Sequence, residues 1–173
     1  GNASNLLSNG DSFDNDTKKQ LYMYIYDDSM WLINLVENLL AVTRIEEGRL
    51  NLRITEDLME DVITEALHHI NRKSEEHHIS VESKEEFLLA KMDAKLIVQV
   101  IINIVDNAIK YTPKNSHIVI RTEKQGKQAI VSISDDGNGI ADEIKPRIFD
   151  MFYSGANRIA DSRRSLGLGL SLC

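Results

Sequence analysis

Apolar side chains recur at helical spacing along the first fifty residues of the chain. No proline or glycine interrupts the sequence from Thr17 to Glu47. A pattern of this length predicts an amphipathic helix of about 30 residues, roughly 45 Å long at about 1.5 Å per residue. The turn-forming residues 10–16 precede it, and Asn15 or Asp16 is the predicted N-cap. The apolar stripe consists of Leu32, Leu35, Val36, Leu39, Val42 and Ile45.

A helix this long needs a packing partner, because an isolated helix is only marginally stable in water. Residues 1–9 look like part of another helix and supply some of that partner, which predicts a helical hairpin. A second copy of the hairpin would complete a four-helix bundle. The pattern therefore predicts a homodimer formed through residues 1–50, with Gly48 ending the long helix.

Two further helices are predicted in the remainder of the chain, with a shorter one near its end. Residues 57–74 and 94–111 carry apolar positions at helical spacing, and Asp93 is the predicted cap of the later helix. Residues 141–152 predict a short helical piece. The predicted apolar faces are Leu58, Val62, Ile63, Ala66, Leu67 and Ile70 on the earlier helix and Leu96, Val100, Ile104 and Ala108 on the later one.

Strands are predicted between these helices. Residues 78–82 alternate apolar and polar side chains, and a short apolar run occupies 87–90. Two strands at 117–123 and 128–134 are joined through Gly126, which is typical of a hairpin.

The order of elements predicts an α+β chain. A helical hairpin over residues 1–50 leads into a two-layer α/β sandwich over residues 51–173, because helices precede a region of mixed helix and strand.

The composition supports a folded, acidic protein. Apolar residues make up 42% of the 173 residues, enough for a core, and the formal net charge is −7 at pH 7. The acidic balance argues against a nucleic-acid partner or contact with an anionic membrane surface. Cys173 is the only cysteine, which excludes a disulfide framework and favours a reducing cytosol. No stretch reaches the roughly 18 apolar residues of a membrane span.

One stripe of the predicted helix 94–111 carries polar chemistry. Asn103, Asn107 and Lys110 are spaced at i, i+4 and i+7, which places them on one face, and Tyr111 follows. Amide oxygens suit a hard cation such as Mg²⁺, and an ammonium group suits phosphate oxygens. Spacing alone leaves open a solvated polar face on a core helix.

A loop with two glycines directly follows the last predicted strand. Asp135 stands at the end of the strand and is suited to accept a hydrogen bond from an amino group such as that of adenine. Gly137 and Gly139 would let a ligand approach the backbone closely, and Ile140 follows them. An ordinary Asp/Gly turn is the alternative.

Two weaker motifs lie farther along the chain. The aromatic run 148–153, which includes Phe149, would anchor a loop or simply pack in the core. Gly167, Leu168 and Gly169 would offer backbone N–H groups to phosphate, and Arg163 stands just before them, either near a terminal phosphate or solvated.

Taken in order, these four motifs resemble the N, G1, F and G2 boxes of the ATP-binding domain of sensor histidine kinases. That domain belongs to a wider ATPase group with gyrase, Hsp90 and MutL. The resemblance covers about residues 85–170, and residues 17–50 resemble the end of the second dimerisation helix. The helix 21–47 and the segment 154–158 resemble the potassium-responsive, KdpD-type members.

The resemblance implies ATP and Mg²⁺ as cofactors. By position, Asn107 would ligate Mg²⁺ with support from Asn103, and Lys110 would contact phosphate. It also implies roles for the remaining site residues: Tyr111 lies against adenine or ribose, Asp135 binds the adenine amino group, Gly137 and Gly139 admit the nucleotide, and Gly167 and Gly169 hinge a lid over the phosphates.

Position 103 bears on the reaction. In the ATPase group that the chain resembles, the members that hydrolyse ATP carry a glutamate at the position of Asn103. That glutamate is the general base for water, whereas the amide of Asn103 cannot take a proton. We therefore expect a protein-histidine kinase that passes phosphate to a response-regulator aspartate. A hydrolysing ATPase of the same fold and a non-catalytic dimerisation module are the alternatives.

The phosphoacceptor histidine of such kinases does not match any of the five histidines, which are His68, His69, His77, His78 and His117. We expect it upstream of Gly1, so that residues 1–173 do not autophosphorylate. The family's closing elements after the G2 box are also expected to be missing, and Ser165 replaces a customary glycine. The resemblance implies the cytoplasmic portion of a membrane-anchored bacterial protein.

Overall fold

The computed structural model shows an α+β chain, which confirms the predicted fold class. The described residues are 1–9, 12–46, 51–70, 76–150, 169–170 and 173. Their helices and strands are α1 (Asn2–Asn9), α2 (Asn15–Glu46), β1 (Thr55–Leu58), α3 (Met59–His68), β2 (His78–Ser83), β3 (Leu89–Met92), α4 (Ala94–Tyr111), β4 (His117–Gln125) and β5 (Gln128–Asp135), followed by a 3-10 turn at Lys145–Arg147.

The first two helices form the predicted hairpin, because α1 packs against α2. The cap of α2 is Asp14, whose Oδ1 accepts a hydrogen bond from the Thr17 backbone N–H at 2.6 Å. The prediction of Asn15 or Asp16 as the cap was wrong, because both residues lie within the first turn of the helix. The predicted end of this helix at Gly48 lies outside the described residues.

The apolar stripe of α2 faces solvent along much of its length. Leu32, Val36 and Leu39 are each about half exposed, at 51%, 53% and 50%. The side chains of Val42 and Ile45 lie outside the described part of the chain. None of the described helices combines the length and apolarity needed to cross a bilayer.

The start of α3 differs from the prediction. Residues 57 and 58 belong to β1, which pairs antiparallel with β3, so the predicted helix 57–74 begins only at Met59. The Met59 backbone N–H donates to the Leu88 carbonyl at 2.9 Å, which fixes the turn from strand into helix. The helix ends at His68, and residues 71–74 lie outside the described part.

The main sheet contains three strands in the order β2-β4-β5. Strands β2 and β4 run parallel, with His78 opposite His117. Strands β4 and β5 form the predicted hairpin. Gly126 lies in its turn with a φ of +60°, a left-handed conformation that favours glycine.

The core lies between the two helices α3 and α4 and the sheet. Apart from Leu58, which belongs to β1, the predicted face of α3 is confirmed. Val62, Ile63 and Ala66 are buried, and Leu67 and Ile70 pack against the core. The core also includes Met59, Leu88, Met92, Ile101, Ile102, Val105, Ala108, Ile109, Ile118 and Ile120.

The predicted face of α4 was largely wrong. Of its four residues, only Ala108 is buried, while Leu96, Val100 and Ile104 remain partly exposed. The helix is apolar on more than one side, so its pattern does not single out the face that packs against α3. Asp93 caps the helix as predicted, accepting from the Leu96 N–H at 3.4 Å.

The predicted helical piece at 141–152 was wrong for its described part. Residues 145–147 form a single 3-10 turn. Pro146 stands at its start, where the missing proline N–H removes a donor that a longer helix would use. Residues 151 and 152 lie outside the described part.

Candidate functional site

The C-terminal half of α4 brings together the first predicted constellation. Val105 and Ala108 anchor this part of the helix in the core. On the other side, Asn103 is buried, with 7% of its surface exposed, while Asn107 and Lys110 are partly buried. The predicted stripe is therefore present, but its members differ in accessibility.

The Asn103 carboxamide is held by partners from three segments. Its Oδ1 accepts from Asn38 Nδ2 on α2 at 3.1 Å and from Gln99 Nε2 at 3.4 Å. Its Nδ2 donates to the Gly169 carbonyl at 3.1 Å and to Asn38 Oδ1 at 3.4 Å. Both the acceptor and the donor of this amide are engaged, so it is not positioned to act as a metal ligand.

The Asn107 carboxamide is in the opposite situation. Within the described part of the chain, no hydrogen bond engages it, and its side chain is partly exposed. Among the described residues, nothing therefore competes with an outside ligand for its amide oxygen. The structure thus separates the two asparagines, which the sequence pattern treats alike.

Lys110 and Tyr111 form the open end of the stripe. The Lys110 Nζ lies over the Tyr111 ring, 5.0 Å from its centroid, and the tyrosine is 53% exposed. A cation over an aromatic face is attracted by the ring quadrupole. This contact holds the ammonium group at the end of α4, one turn beyond Asn107.

The glycine loop after β5 lies against the end of α4. Asp135 is the last residue of β5, and its Oδ1 accepts from the Gly137 backbone N–H at 3.0 Å. A Cβ at Gly137 would stand 2.7 Å from Thr112 Cγ2 and 2.9 Å from Asp135 Oδ1, so that one of these groups or the loop would have to shift. Thr112 itself caps α4, since its Oγ1 donates to the Ala108 carbonyl at 2.7 Å. The first two predicted motifs are therefore in contact.

The rest of this loop is open. Gly139 has a φ of +69°, a left-handed backbone that most side chains avoid. Ile140 is 45% exposed and Phe149 is 57% exposed. Exposed apolar side chains next to a polar loop are suited to contact a flat apolar ligand group.

Asp136 fastens the start of the loop to β4. Its two carboxylate oxygens meet His117, one at 3.0 Å from the backbone nitrogen and the other at 3.1 Å from ring Nδ1. These contacts, with the ring contact the larger cause, hold the pKa of the Asp136 carboxyl below its ordinary value. The His117 ring also stacks on His78, with centroids 5.0 Å apart. Four of the five histidines are exposed and His77 is partly buried.

The protein ligands around Asn107 suit a metal ion only if the ion is also bound by oxygen atoms of a substrate. Within the described residues, no group of three or more His, Cys, Asp or Glu side chains could hold a metal ion. Mg²⁺ prefers six oxygen ligands and commonly shares one or two protein ligands with substrate phosphates. The residues present therefore fit a magnesium ion bound jointly with phosphate.

Sequence reasoning missed several residues of this site. Thr112, Asn38 and Gln99 complete contacts that only the fold creates, although an asparagine inside the apolar stripe of α2 was a usable signal. Asp136 also lies in the glycine loop, and its contacts with His117 arise only from the fold. The predicted site residues Arg163, Gly167 and Leu168, and the segment 154–158, lie outside the described residues.

Comparison with known proteins places this arrangement among ATP-binding domains. The family described as histidine kinase-, DNA gyrase B- and HSP90-like ATPase matches residues 92–173. The chain is 42% identical over its full length to the sensor protein KdpD of Clostridium acetobutylicum, and it spans 19% of that relative.

The solved structures that resemble this chain include histidine kinases. The nucleotide-free catalytic domain of histidine kinase ThkA is 31% identical, with a TM-score of 0.60 over 70% of this chain and 76% of that chain. ThkA in complex with the response regulator protein TrrA is 25% identical, with a TM-score of 0.57 over 88% of this chain and 46% of that chain.

Proposed function

Because the chain belongs to the sensor histidine kinases and carries their ATP-binding catalytic domain, we propose that it binds Mg²⁺–ATP and donates the γ-phosphoryl group to a histidine. The accepting histidine would precede Gly1 in a longer chain. Residues 1–50 would serve as part of the dimerisation hairpin and residues 51–173 as the catalytic domain. The observation that carries this proposal is the Asn107 amide, which no described residue engages, beside Lys110 at the end of α4, where Thr112 meets the glycine loop.

The glycine loop would receive the adenine. One Asp135 oxygen is already taken by the Gly137 N–H, which leaves the other oxygen to accept from the adenine amino group. Tyr111, at the end of α4, and Ile140, which follows the loop, are exposed and would supply apolar surface for the base. Phe149 would help to close this end of the site.

The end of α4 would receive the phosphates. Asn107 Oδ1 is the protein ligand that we propose for Mg²⁺, with the remaining ligands coming from phosphate oxygens and water. Lys110 would place a positive charge against the phosphates, where a lysine acts as a point charge. When bound, the metal ion neutralises charge on the transferred group.

The site favours transfer to a protein group over hydrolysis. The accepting histidine nitrogen forms a bond to the γ-phosphorus, the bond from that phosphorus to the bridging oxygen breaks, and ADP leaves. Hydrolysis needs a base to take the proton of water. The side chain at position 103 is an amide whose donor and acceptor are both engaged, so it cannot fill that role.

We propose two partners, a second copy of this chain and a response regulator. The half-exposed apolar stripe of α2 supports homodimer formation through the hairpin, because such a stripe needs a partner. ThkA has been solved with the response regulator TrrA, and we propose that a response-regulator aspartate is the next phosphate acceptor here. We propose a cytoplasmic location, where ATP is present.

A labelling experiment on a longer chain that includes the sequence preceding Gly1 tests this function. With γ-labelled ATP and Mg²⁺, we expect acid-labile label on the protein, and the Asn107→Ala variant should lose it. Release of labelled inorganic phosphate without protein label would instead support a hydrolysing ATPase. The absence of both protein label and released phosphate would support a non-catalytic dimerisation module.

A further inference from the structure

Three amide side chains connect the helical hairpin to the nucleotide site. We call Asn38, Gln99 and Asn103 the amide cluster. Asn38 lies on α2, while Gln99 and Asn103 lie one turn apart on α4. The link between Asn38 and Asn103 joins positions 65 residues apart in sequence.

Hydrogen bonds between the three amides hold the cluster together. Asn38 Nδ2 donates to Asn103 Oδ1 at 3.1 Å. Asn38 Oδ1 accepts from Gln99 Nε2 at 3.0 Å and from Asn103 Nδ2 at 3.4 Å. The Gly169 carbonyl needs a donor from Asn103, and Gln99 Nε2 needs an acceptor on Asn38, so these two contacts fix which way each carboxamide faces.

The burial of Asn38 is unusual for its helix. Only 7% of its surface is exposed, whereas its neighbours Val36, Leu39 and Leu40 are about half exposed. Burying a polar side chain is costly unless its hydrogen bonds are made. A buried asparagine among exposed apolar residues therefore indicates a specific polar contact with the catalytic domain.

The cluster reaches the last predicted motif through Asn103. Its Nδ2 donates to the Gly169 carbonyl at 3.1 Å. A Cβ at Gly169 would stand 3.5 to 3.6 Å from the Asn103 side chain, which is ordinary van der Waals contact. The backbone at Gly169 thus rests directly on the Asn103 amide, and the orientation of that amide determines whether the carbonyl is held.

We propose that Asn38 is a positioning residue of the nucleotide site. Acting through Asn103, it holds the backbone at Gly169, in the motif that the sequence predicts to offer backbone N–H groups to phosphate. This inference rests on the proposed function and adds a regulation to it: the hairpin contributes to phosphate binding without touching the nucleotide. Displacing α2 from α4 would release Asn103 and with it the Gly169 carbonyl.

The cluster also gives a second reason for an asparagine at position 103. A carboxylate there could accept from Asn38 and Gln99, but it could not donate to the Gly169 carbonyl or to Asn38 Oδ1. Two oxygen atoms would then face it without a proton between them, which is unfavourable in a buried site. The partners of Asn103 are therefore matched to an amide and not to the acid of a hydrolysing site.

Calorimetric titration of the 173-residue chain with three ligands tests the proposal. The ligands are the non-hydrolysable analogue AMP-PNP with Mg²⁺, ADP with Mg²⁺, and adenosine. We expect Asn38→Ala to weaken AMP-PNP binding roughly fivefold, the effect of losing about one hydrogen bond. ADP should be affected less and adenosine not at all, because the adenine contacts at Asp135 do not involve the cluster.

Two further variants test whether Asn38 acts through its hydrogen bonds to Asn103. Asn38→Asp retains the acceptor for Gln99 and Asn103 but sets a carboxylate oxygen against Asn103 Oδ1 with no proton between them, so we expect it to weaken AMP-PNP binding at least as much as Asn38→Ala does. The double variant Asn38→Ala with Asn103→Ala should bind no more weakly than Asn103→Ala alone, because residues that act through one another are non-additive. Glu37→Ala, the exposed neighbour on α2, is the matched control and should bind like the wild type.

A direct readout of position accompanies the titration. The side-chain NH₂ resonances of Asn103 should shift in Asn38→Ala and remain unchanged in Glu37→Ala. Wild-type affinity in Asn38→Ala, or an equal loss for all three ligands, would overturn the positioning role while leaving the proposed function intact. A wild-type chain that binds none of the ligands would contradict the proposed function and this inference together.

Discussion

The methyl group of Thr112 lies 2.7 Å from the point where a Cβ at Gly137 would stand. Thr112 ends α4, and Gly137 lies in the loop that follows β5. This contact joins the end of α4 to the glycine loop, and a side chain at the glycine would force Thr112, Asp135 or the loop to move. The proposed nucleotide site therefore depends on a steric relationship as well as on its polar groups.

Replacing Gly137 with alanine should disrupt nucleotide binding. The new methyl would overlap Thr112 and the Asp135 carboxylate, and relieving such overlap costs about 1 to 3 kcal/mol. The loop would move and displace the Asp135 oxygen that we assign to adenine. We expect AMP-PNP affinity to fall at least about tenfold by calorimetry, since about 1.4 kcal/mol corresponds to tenfold.

Gly126→Ala is the matched control for that variant. Gly126 also has an unusual backbone, with a φ of +60°, but nothing lies within 4 Å of its Cβ position. The change should cost about 1 kcal/mol of folding stability through backbone strain and leave nucleotide affinity unchanged. If both variants lost affinity equally, the contact with Thr112 would not be the cause.

The carboxyl of Asp136 should titrate below its ordinary pKa of 3.8, chiefly because of the His117 ring. Since the folded-state pKa is depressed, the stabilisation is fully present above the ordinary value and is lost as pH falls through the lowered pKa. In His117→Ala the pKa should rise towards 3.8. Carboxyl NMR titration of both proteins checks this, and an unchanged pKa would contradict the role of the ring.

Self-association should depend on the apolar stripe of α2. Val36 is 53% exposed, so Val36→Lys removes apolar surface from the proposed dimer without opening the core of the catalytic domain. Sedimentation should show dimers of the wild type and monomers of the variant, with equal affinity for AMP-PNP.

The neighbouring change Glu37→Lys provides the control for charge. It alters the net charge by more than Val36→Lys does, yet it lies outside the stripe. It should therefore remain dimeric. A monomeric wild type, or a monomeric Glu37→Lys, would argue against a dimer held by this apolar surface.

Local patterns in the sequence predict much of the fold. The long α2, the cap at Asp93 and the hairpin through Gly126 depend on residues close together in the chain, so their signals are present in short windows. Strand β1 was missed because Thr55–Leu58 lacks alternation and acquires its pairing only from β3. The face of α4 was misassigned because packing against α3, rather than the pattern, selects it.

Local sequence likewise predicted one part of the candidate site, while contacts between distant residues determine the rest. The order and spacing of the motifs predicted the family, which is confirmed, and the position of Asn107 beside Lys110 followed from helical geometry. The different states of Asn103 and Asn107 could not be predicted, because Asn38 approaches from 65 residues away. The contact of Thr112 with Gly137 likewise exists only once α4 and β5 are adjacent.

The magnesium dependence of nucleotide binding tests the central claim most directly. Calorimetry with AMP-PNP, with and without Mg²⁺, should be performed on the wild type and on Asn107→Ala. Because Asn107 is the only protein ligand that we assign to the metal, Mg²⁺ should strengthen wild-type binding at least about tenfold and should have little effect on the variant. Equal strengthening by Mg²⁺ in both proteins would contradict the account.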